Sequence, residues 1–339
     1  MAGPPRLSDG DELSGRATIL DVAAAAGVSR QTVTRAMNGM AGISVATKQR
    51  VLSAAEALYY RPSRFGRGLV LGGEQQLGLI VDDLRNPYSP ELAAAVVRVA
   101  AARGWNVMLA DVALSGDADR MVLALGAQTD AVIGYFGARA AEWIGLLGSV
   151  PVVELDPAGA LTRGAVQLDR TEAIDAVVAH LVAVGVRAPI VLDAGRPVGR
   201  TARAARMVEA FATNGIDAHV VSADERTAES AAEATLRILA AGAPHDAILA
   251  FNDLMALGVL AACGAAGVEV PEDVRVVGVD GLPVGTLVTP TLTTLAVDLD
   301  EVATHALELA VAMIDGSAPR SGAAVQRTVR HRLLLRASA

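Results

Sequence analysis

The chain of 339 residues is longer than one ordinary hydrophobic core supports, so it predicts two or three packed units. Hydrophobic residues make up 52 %, which excludes a disordered chain, and the single cysteine, Cys263, excludes a disulfide framework and a cysteine-rich metal site. The net charge of -8, taken alone, argues against a nucleic-acid partner.

The distribution of charge changes that conclusion for the first part of the chain. Residues 16–67 hold eight basic and two acidic residues, a local charge of +6 on a chain whose total is -8. Phosphates attract such a basic segment and repel the acidic remainder. Residues 1–15 are polar and lack the apolar stretch of a signal peptide. The sequence contains no run of 18 apolar residues, so it predicts no membrane span. We therefore expect a disordered leader on a cytoplasmic protein.

Two short helices around a glycine turn are predicted next. Thr18 is a good cap for the first helix, residues 19–26, and Gly27 supplies the turn. Ser29 caps the second helix, residues 30–38. This spacing predicts a helix-turn-helix.

The second helix is expected to have one polar face and one aliphatic face. At about 100° per residue, its long or hydrogen-bonding side chains fall on one side, as a helix in a major groove requires. These side chains are Arg30, Gln31, Thr34, Arg35 and Asn38. The opposite side carries Val33, Ala36 and Met37, and it is predicted to pack on Val22 and Ala26. A solvated face of an ordinary amphipathic helix is the alternative, but the two caps, the glycine spacing and the basic charge favour DNA reading.

A third helix, residues 45–59, is predicted after the cap Ser44. Lys48 lies outside its apolar stripe and can reach the DNA backbone. Pro62 ends the helical stretch, and the glycines beyond it mark residues 62–74 as a hinge or linker. The buried stripe is expected to consist of Val51, Ala54, Ala55 and Leu58.

The segments DVAAAAGVSRQTVTRAMNG and ISVATKQRVLSAAEALYYRPSRFGRGL resemble the headpiece of the lactose/galactose repressor family of transcriptional regulators. The resemblance implies that Arg30, Gln31 and Arg35 contact bases in the major groove. It also implies that the hinge folds on operator DNA and places Leu69 in the minor groove. The expected DNA-binding residues are Thr18, Ser29, Arg30, Gln31, Thr34, Arg35, Asn38, Lys48, Arg64 and Leu69.

From Leu77 onward, short aliphatic runs alternate with alanine-rich amphipathic stretches. Such alternation predicts buried parallel sheets, and a change of rhythm near residue 165 predicts two doubly wound lobes. Ligands on such folds bind at the carboxyl ends of strands, here in a cleft between the lobes. Strands are predicted at residues 77–81, 107–110, 131–135, 152–155, 190–193, 219–222, 247–251 and 274–279. Helices are predicted at residues 91–103, 171–185, 201–214, 228–241 and 254–267.

Polar residues come after several of these strands. Asp156, Asn252 and Asp280 stand directly after aliphatic runs, and Arg203 begins the helix after another. Carboxylates, an amide and an arginine suit a neutral ligand rich in hydroxyl groups, such as a sugar. The sequence therefore predicts an effector site at these strand ends.

The segments FNDLMALG and VPEDVRVVGVDG, supported by LGLIVDDLRNPYSPELAAAV, DAVIGYFG and VPVVELD, are similar to the sensor of the same family. The resemblance implies an α/β fold: an N-terminal all-α helix-turn-helix headpiece and a two-lobed, periplasmic-binding-protein-like sensor domain. Tyr135, Phe136 and Trp143 are nearby aromatic candidates for stacking on a sugar ring. The expected effector-binding residues are Asp82, Tyr88, Tyr135, Asp156, Arg203, Asn252 and Asp280.

Simpler roles remain open for three aspartates. Asp253 is expected only to cap its helix, Asp156 can equally anchor a crossover loop, and Asp82 can point into solvent. Of the residues expected to contact a hydroxyl-rich ligand, Asp82 is therefore the weakest candidate.

Two other functions compete with that of a regulator. An enzyme needs site chemistry that is missing, since the sequence has no H-E-x-x-H, P-loop or G-x-S-x-G motif. Its five histidines are scattered, and each is expected on a surface helix or at a strand edge. We expect no cofactor and no metal. The second competing function, a soluble solute-binding protein without a DNA role, is opposed by the basic helix-turn-helix and the absent signal peptide.

The predicted organisation is a leader (1–15), a helix-turn-helix domain (16–61), a hinge (62–74) and a sensor (75–339). The first lobe is expected to take residues 75–168 and 298–324, and the second lobe residues 169–297 and 325–339. The resemblance implies a repressor that binds palindromic operator DNA as a homodimer. It also implies that a small molecule rotates the two lobes and thereby changes the affinity for the operator. Dimerisation is expected through the helices near 91–103, 117–128 and 254–266, without a tetramerising tail.

Overall fold

The computed structural model describes residues 19–37, 42–58, 75–157, 159, 163–194, 200–242 and 244–339. These residues form two compact units, a group of helices before residue 59 and an α/β body from Gln75 onward. Among the described residues, no helix combines the length and the apolar character that crossing a membrane requires. The expectations for the leader, for the hinge and for four candidate DNA contacts lie outside the described residues: Thr18, Asn38, Arg64 and Leu69.

Three helices form the first unit: α1 (Ile19–Ala26), α2 (Arg30–Met37) and α3 (Val45–Ala57). Gly27 adopts a φ of +63°, which allows the sharp turn between α1 and α2. The hydroxyl of Ser29 caps α2 by accepting a hydrogen bond from the Thr32 amide at 3.1 Å. These local signals explain why the predicted helix-turn-helix forms.

The core of this unit is small and aliphatic. It brings the predicted apolar face of α2 against α1 and α3, with Val22, Ala26, Val33, Ala36, Val51 and Ala55 buried. Leu58 was also expected in this core, but 36 % of it is exposed, because α3 ends at Ala57 and Leu58 lies beyond the last helical residue.

The second unit contains the sheets and the remaining helices of the described residues. The strands are β1 (Gln75–Val81), β2 (Trp105–Asp111), β3 (Ala131–Gly134), β4 (Val152–Leu155), β5 (Gly164–Asp169), β6 (Pro189–Ala194), β7 (His219–Ala223), β8 (Ala247–Ala250), β9 (Arg275–Asp280), β10 (Thr293–Ala296), β11 (Gln326–Arg330) and β12 (Arg332–Leu334). The helices are α4 (Tyr88–Ala101), α5 (Ala118–Gln128), α6 (Ala140–Leu147), α7 (Thr171–Ala183), α8 (Ala202–Thr213), α9 (Ala228–Ala240), α10 (Asp253–Ala266) and α11 (Leu299–Asp315).

The strands form two sheets of six, one in each lobe. The first sheet has the order β11-β5-β4-β3-β1-β2 and its neighbours are parallel. The second has the order β12-β10-β9-β8-β6-β7, and β12 runs antiparallel to β10. Helices cover the sheets, so strands such as β3 and β8 are buried along their whole length, which explains their continuous aliphatic sequences. The predicted α/β architecture of two lobes is confirmed.

The eight predicted strands are present to within two residues at each end, but the assignment of residues 325–330 to the second lobe is wrong. Gln326–Arg330 pairs with Gly164–Asp169 in the first sheet. This pairing covers an edge of β5 whose backbone groups would otherwise lack partners. The chain enters the second sheet only after His331, so His331 is the single residue between β11 and β12.

Candidate functional site

The helix α2 presents its polar face to solvent in the first unit. Arg30, Gln31 and Arg35 are exposed, whereas Val33 and Ala36 on the other side are buried. Lys48 on α3 is exposed as well. Exposed guanidinium, amide and ammonium groups can donate hydrogen bonds to the acceptor atoms of base edges and phosphates.

Two of the predicted DNA contacts have hydroxyl groups with partners inside the unit. Ser29 caps α2 and its Oγ lies 2.9 Å from Thr32 Oγ1. The hydroxyl of Thr34 donates to the Arg30 carbonyl oxygen at 3.1 Å. Ser29 therefore stabilises the start of α2, whereas the Thr34 hydroxyl only bonds back to its own helix, and the contact of both residues with DNA stays a prediction.

In the second unit, a cleft of about 580 Å³ opens where strands of both sheets end. Polar residues that are distant in the sequence meet here because the carboxyl ends of parallel strands lie at one edge of each sheet. The structure brings all the predicted effector residues into the lining of this cleft: Asp82, Tyr88, Tyr135, Asp156, Arg203, Asn252 and Asp280.

Two of these aspartates have unusual backbone conformations. Asp156 adopts a φ of +47° and Asp280 a φ of +129°, values that residues with side chains rarely take. Such strained residues concentrate at functional sites. Asp156 directly follows a buried strand and Asp280 ends another. The chain therefore changes direction at each of these aspartates, where their side chains line the cleft.

Arg170 is a cleft residue that the sequence did not reveal. Its Nη2 donates to Asp156 Oδ2 at 2.7 Å, and its Nη1 donates to the Leu168 carbonyl oxygen at 2.9 Å. Burial lowers the pKa of Arg170, but the charge and hydrogen bonds of Asp156 outweigh burial and leave the pKa above its ordinary value. Asp156 is thus both held by an ion pair and part of the cleft wall. Arg170 also stands directly after a strand, but it could not be predicted in the same way as the other cleft residues because β5 itself was not predicted.

Arg203, in the first turn of α8, is half-buried in the opposite wall. Its Nη1 donates to the Phe251 carbonyl oxygen, and its guanidinium carbon lies 4.2 Å from the centre of the Phe251 ring. Burial, and then the charge of Arg170, lower the pKa of Arg203 to about 10. Arg203 therefore keeps its charge at neutral pH and can donate charge-assisted hydrogen bonds inside the cleft.

Asn252, and not Asp253, caps the helix α10. Asn252 has an extended backbone, and its Oδ1 accepts a hydrogen bond from the Met255 amide at 2.9 Å. The prediction that Asp253 is the cap is wrong by one residue. Asp253 is fully buried and accepts hydrogen bonds from Thr294 Oγ1 at 2.6 Å and from the Leu282 amide at 2.7 Å. Its carboxylate thereby joins α10 to the segments around β10 and after β9.

Asp280 ends β9 and is only 9 % exposed. Burial raises its pKa to about 7, more than the nearby arginines lower it. The cleft therefore contains a carboxyl group that is close to half protonated at neutral pH.

The raised pKa of Asp280 predicts a pH-dependent contribution to stability. Between its unfolded value of 3.8 and its folded value of about 7, the folded state holds a proton that the unfolded state releases. The free energy of unfolding should then fall as the pH rises through this window, by at most about 1.4 kcal/mol per pH unit, and stay low above it. We expect Asp280→Asn to stabilise the chain more at pH 8 than at pH 5, as thermal unfolding midpoints would measure. An equal effect at both pH values would contradict this ionisation.

Tyr88 and Tyr135 form a pair in the first-lobe wall. Their hydroxyl oxygens lie 2.6 Å apart, and their rings meet edge to face with centres 6.0 Å apart. Burial raises the pKa of both phenols, so each keeps its proton at neutral pH. One hydroxyl donates to the other, and the second proton of the pair is available for a ligand.

Asp82 lies at the mouth of the cleft. Its side chain is 70 % exposed, and Oδ2 lies 3.6 Å from Arg226 Nη1 of the other lobe. Arg226 in turn lies 4.9 Å from the centre of the Phe251 ring. Asp82 and Arg226 thus face each other across the opening, where solvent weakens their attraction.

Two other observations concern aromatic and histidine residues. Trp143 lines the cleft, as the stacking candidates were expected to, but it is only 5 % exposed and its Nε1 donates to Asp119 at 2.9 Å. His331 was expected on a surface helix or at a strand edge. It adjoins the edge strands β11 and β12, but it is 5 % exposed and lines the cleft, because it sits between strands of the two sheets. Among the described residues, no three His, Cys, Asp or Glu side chains are grouped so as to hold a metal ion.

Comparison with protein families gives matches to both units. Residues 18–63 match the family described as bacterial regulatory proteins, lacI family. Residues 178–339 match the periplasmic binding protein-like domain. The first match contains the helices of the first unit, and the second contains α8 to α11, β11 and all six strands of the second sheet.

Known proteins are similar over nearly the whole chain. The ribose operon repressor of Halalkalibacterium halodurans is 31 % identical over 301 residues, which cover 86 % of this chain and 89 % of that protein. A crystal structure of a LacI family transcriptional regulator from Arthrobacter sp. FB24, in complex with lactose, is 38 % identical with a TM-score of 0.73, covering 78 % of this chain and 99 % of that one. The lac repressor dimer bound to operator and an anti-inducer is 26 % identical with a TM-score of 0.69, covering 96 % and 99 %.

Proposed function

Since the chain belongs to the lacI family of bacterial regulatory proteins, we propose that it is a repressor that binds a palindromic operator as a homodimer and responds to a neutral sugar. The sugar occupies the cleft between the lobes and changes the affinity for the operator. No catalysis is part of this proposal. A protein that binds chromosomal operators acts in the cytoplasm.

The composition of the cleft carries the effector part of this proposal. Four aspartates and four arginines line it, and even with Asp280 partly protonated their net charge stays close to zero, so a neutral ligand matches them best. The carboxylates accept, and the guanidinium groups donate, the hydrogen bonds that vicinal hydroxyl groups form. The charged residues are Asp82, Asp83, Asp156, Asp280, Arg139, Arg170, Arg203 and Arg226.

Size and similarity support the same ligand class. A volume of about 580 Å³ falls within the range of about 300–1,000 Å³ that is typical of small-molecule sites. The relative from Halalkalibacterium halodurans is named a ribose operon repressor, and the Arthrobacter regulator was crystallised with lactose. We take a mono- or disaccharide as the effector of this chain.

The exposed face of α2 carries the DNA part of the proposal. Arg30, Gln31 and Arg35 read base edges, and Lys48 contacts a phosphate. One headpiece covers about half of a palindromic site, so two chains are needed, joined through the sensor helices α4, α5 and α10. Ligand in the cleft rotates the lobes and thereby alters the two hinges.

Two measurements on the full chain test the proposal. A gel shift with the chain's own promoter region should show binding that excess non-specific DNA does not remove. A thermal-shift screen with neutral mono- and disaccharides should identify at least one sugar that stabilises the chain. Loss of the gel shift under competition would leave a sugar-binding protein without a specific DNA site.

A further inference from the structure

His331 lies where two passages of the chain between the lobes meet. It is the single residue between β11 in the first sheet and β12 in the second. Its backbone amide donates to the Asp169 carbonyl oxygen at 2.8 Å, and Asp169 is the last residue of β5, from which the chain passes into the second lobe. A change in the angle between the lobes must therefore alter the surroundings of His331.

The imidazole of His331 has one nitrogen with a partner and one without. Nδ1 lies 3.3 Å from the Asp169 carbonyl oxygen, and because a carbonyl only accepts, Nδ1 carries the proton. Nε2 is then an acceptor. It is buried, and no hydrogen-bond partner for it is found among the described residues.

The ring stays neutral across the physiological range. Burial, and then the charges of Arg170 and Arg203, lower the pKa of His331 to about 3. A buried acceptor that lacks a donor destabilises a folded protein, and His331 lines the cleft, so a donor from a bound ligand would satisfy this atom.

We propose that Nε2 of His331 accepts a hydrogen bond from a hydroxyl group of the bound sugar, which makes His331 a specificity residue at the junction of the lobes. The inference rests on the sugar effector proposed above and adds a contact that the strand-end residues do not supply. Asp156, Asp280 and the arginines recognise the sugar from either lobe. His331 recognises it from the crossover itself, so ligand binding and the angle between the lobes share one residue.

Two substitutions separate this role from a structural one. His331→Gln places Oε1 near the position of Nε2 and keeps the acceptor, but it lacks the donor toward Asp169. His331→Asn keeps a donor near the position of Nδ1 and lacks an acceptor at the position of Nε2. We expect His331→Gln to bind the sugar within about threefold of the unsubstituted chain and His331→Asn to bind it about tenfold or more weakly.

The experiment uses the full chain and the neutral sugar that gives the largest shift in the thermal screen. Affinities come from isothermal titration calorimetry, and sugar-free thermal midpoints check that both variants fold. If His331 only holds the crossover together, the order reverses, and His331→Asn keeps affinity while His331→Gln loses it. That order, or equal affinities for both variants, would overturn the inference and leave the proposed function intact. If no sugar stabilises the unsubstituted chain, the proposed effector class and this inference both fail.

Discussion

Replacing Arg203 by alanine is expected to abolish the response to the effector and to leave operator binding unchanged. Arg203 is half-buried in the cleft wall and keeps its charge, so its loss removes charge-assisted donors and leaves ligand oxygens without partners. The expected loss of sugar affinity is about 3 kcal/mol, or roughly a hundredfold. Isothermal titration calorimetry and fluorescence anisotropy of labelled operator, with increasing sugar, measure the two effects.

Arg226→Ala is the matched control. Arg226 also lines the cleft and also packs on Phe251, but its side chain is 54 % exposed at the mouth. Its removal should weaken sugar binding by less than about 1 kcal/mol, since solvent screens exposed charges. An unchanged sugar response in Arg203→Ala would remove Arg203 from the effector site.

Arg35→Ala is expected to weaken binding to the operator by about 1–3 kcal/mol and to have little effect on random DNA. Arg35 is exposed on the polar face of α2, where a bidentate contact to a base distinguishes one sequence from another. Anisotropy titrations with an operator duplex and a scrambled duplex of the same length, at one fixed salt concentration, give both affinities.

Lys48→Ala provides the comparison for Arg35→Ala. Lys48 is exposed on α3, and a contact from an ammonium group to a phosphate carries no sequence information. The loss of Lys48 should therefore weaken binding to the operator duplex and to the scrambled duplex by similar factors. It should also reduce the salt dependence of both affinities. Equal losses on both duplexes in Arg35→Ala would mean that Arg35 reads no base.

Local signals explain why the first unit was predictable. The end of α1 and the start of α2 agree with the structure, because Gly27 and Ser29 act through their own backbone neighbours and need no tertiary context. The prediction that Leu58 is buried was wrong because the predicted third helix was longer than α3. Periodicity places the body of a helix more reliably than its last residue, because the final turn frays.

The cleft was predictable to the extent that its residues stand after aliphatic strands. Asp156, Asn252 and Asp280 do so, and the topology of parallel sheets then brings them together. Asp253 shows the limit of that rule, since two adjacent polar residues can exchange the capping role and only the backbone angles decide which one caps.

Arg170 and His331 were missed because each stands directly after a strand that the sequence did not reveal. For His331 this strand is β11, which reads QRTVR and is largely exposed at the edge of its sheet, whereas β12 lies in the segment RHRLLLRAS that was expected to be a strand. β5 was likewise unpredicted, although Arg170 stands directly after it. The passages between lobes can be located only once strand pairing is known, because pairing is a non-local property.

The most direct test of a sugar-controlled regulator is the operator affinity of the full chain with and without the sugar that stabilises it. Anisotropy titrations on a palindromic duplex from its own promoter region should show a change of about 5- to 150-fold when the sugar saturates the cleft, which corresponds to a coupling of about 1–3 kcal/mol. The same sugar should leave binding to scrambled DNA unchanged. An operator affinity that stays the same while calorimetry shows the cleft to be occupied would contradict the account.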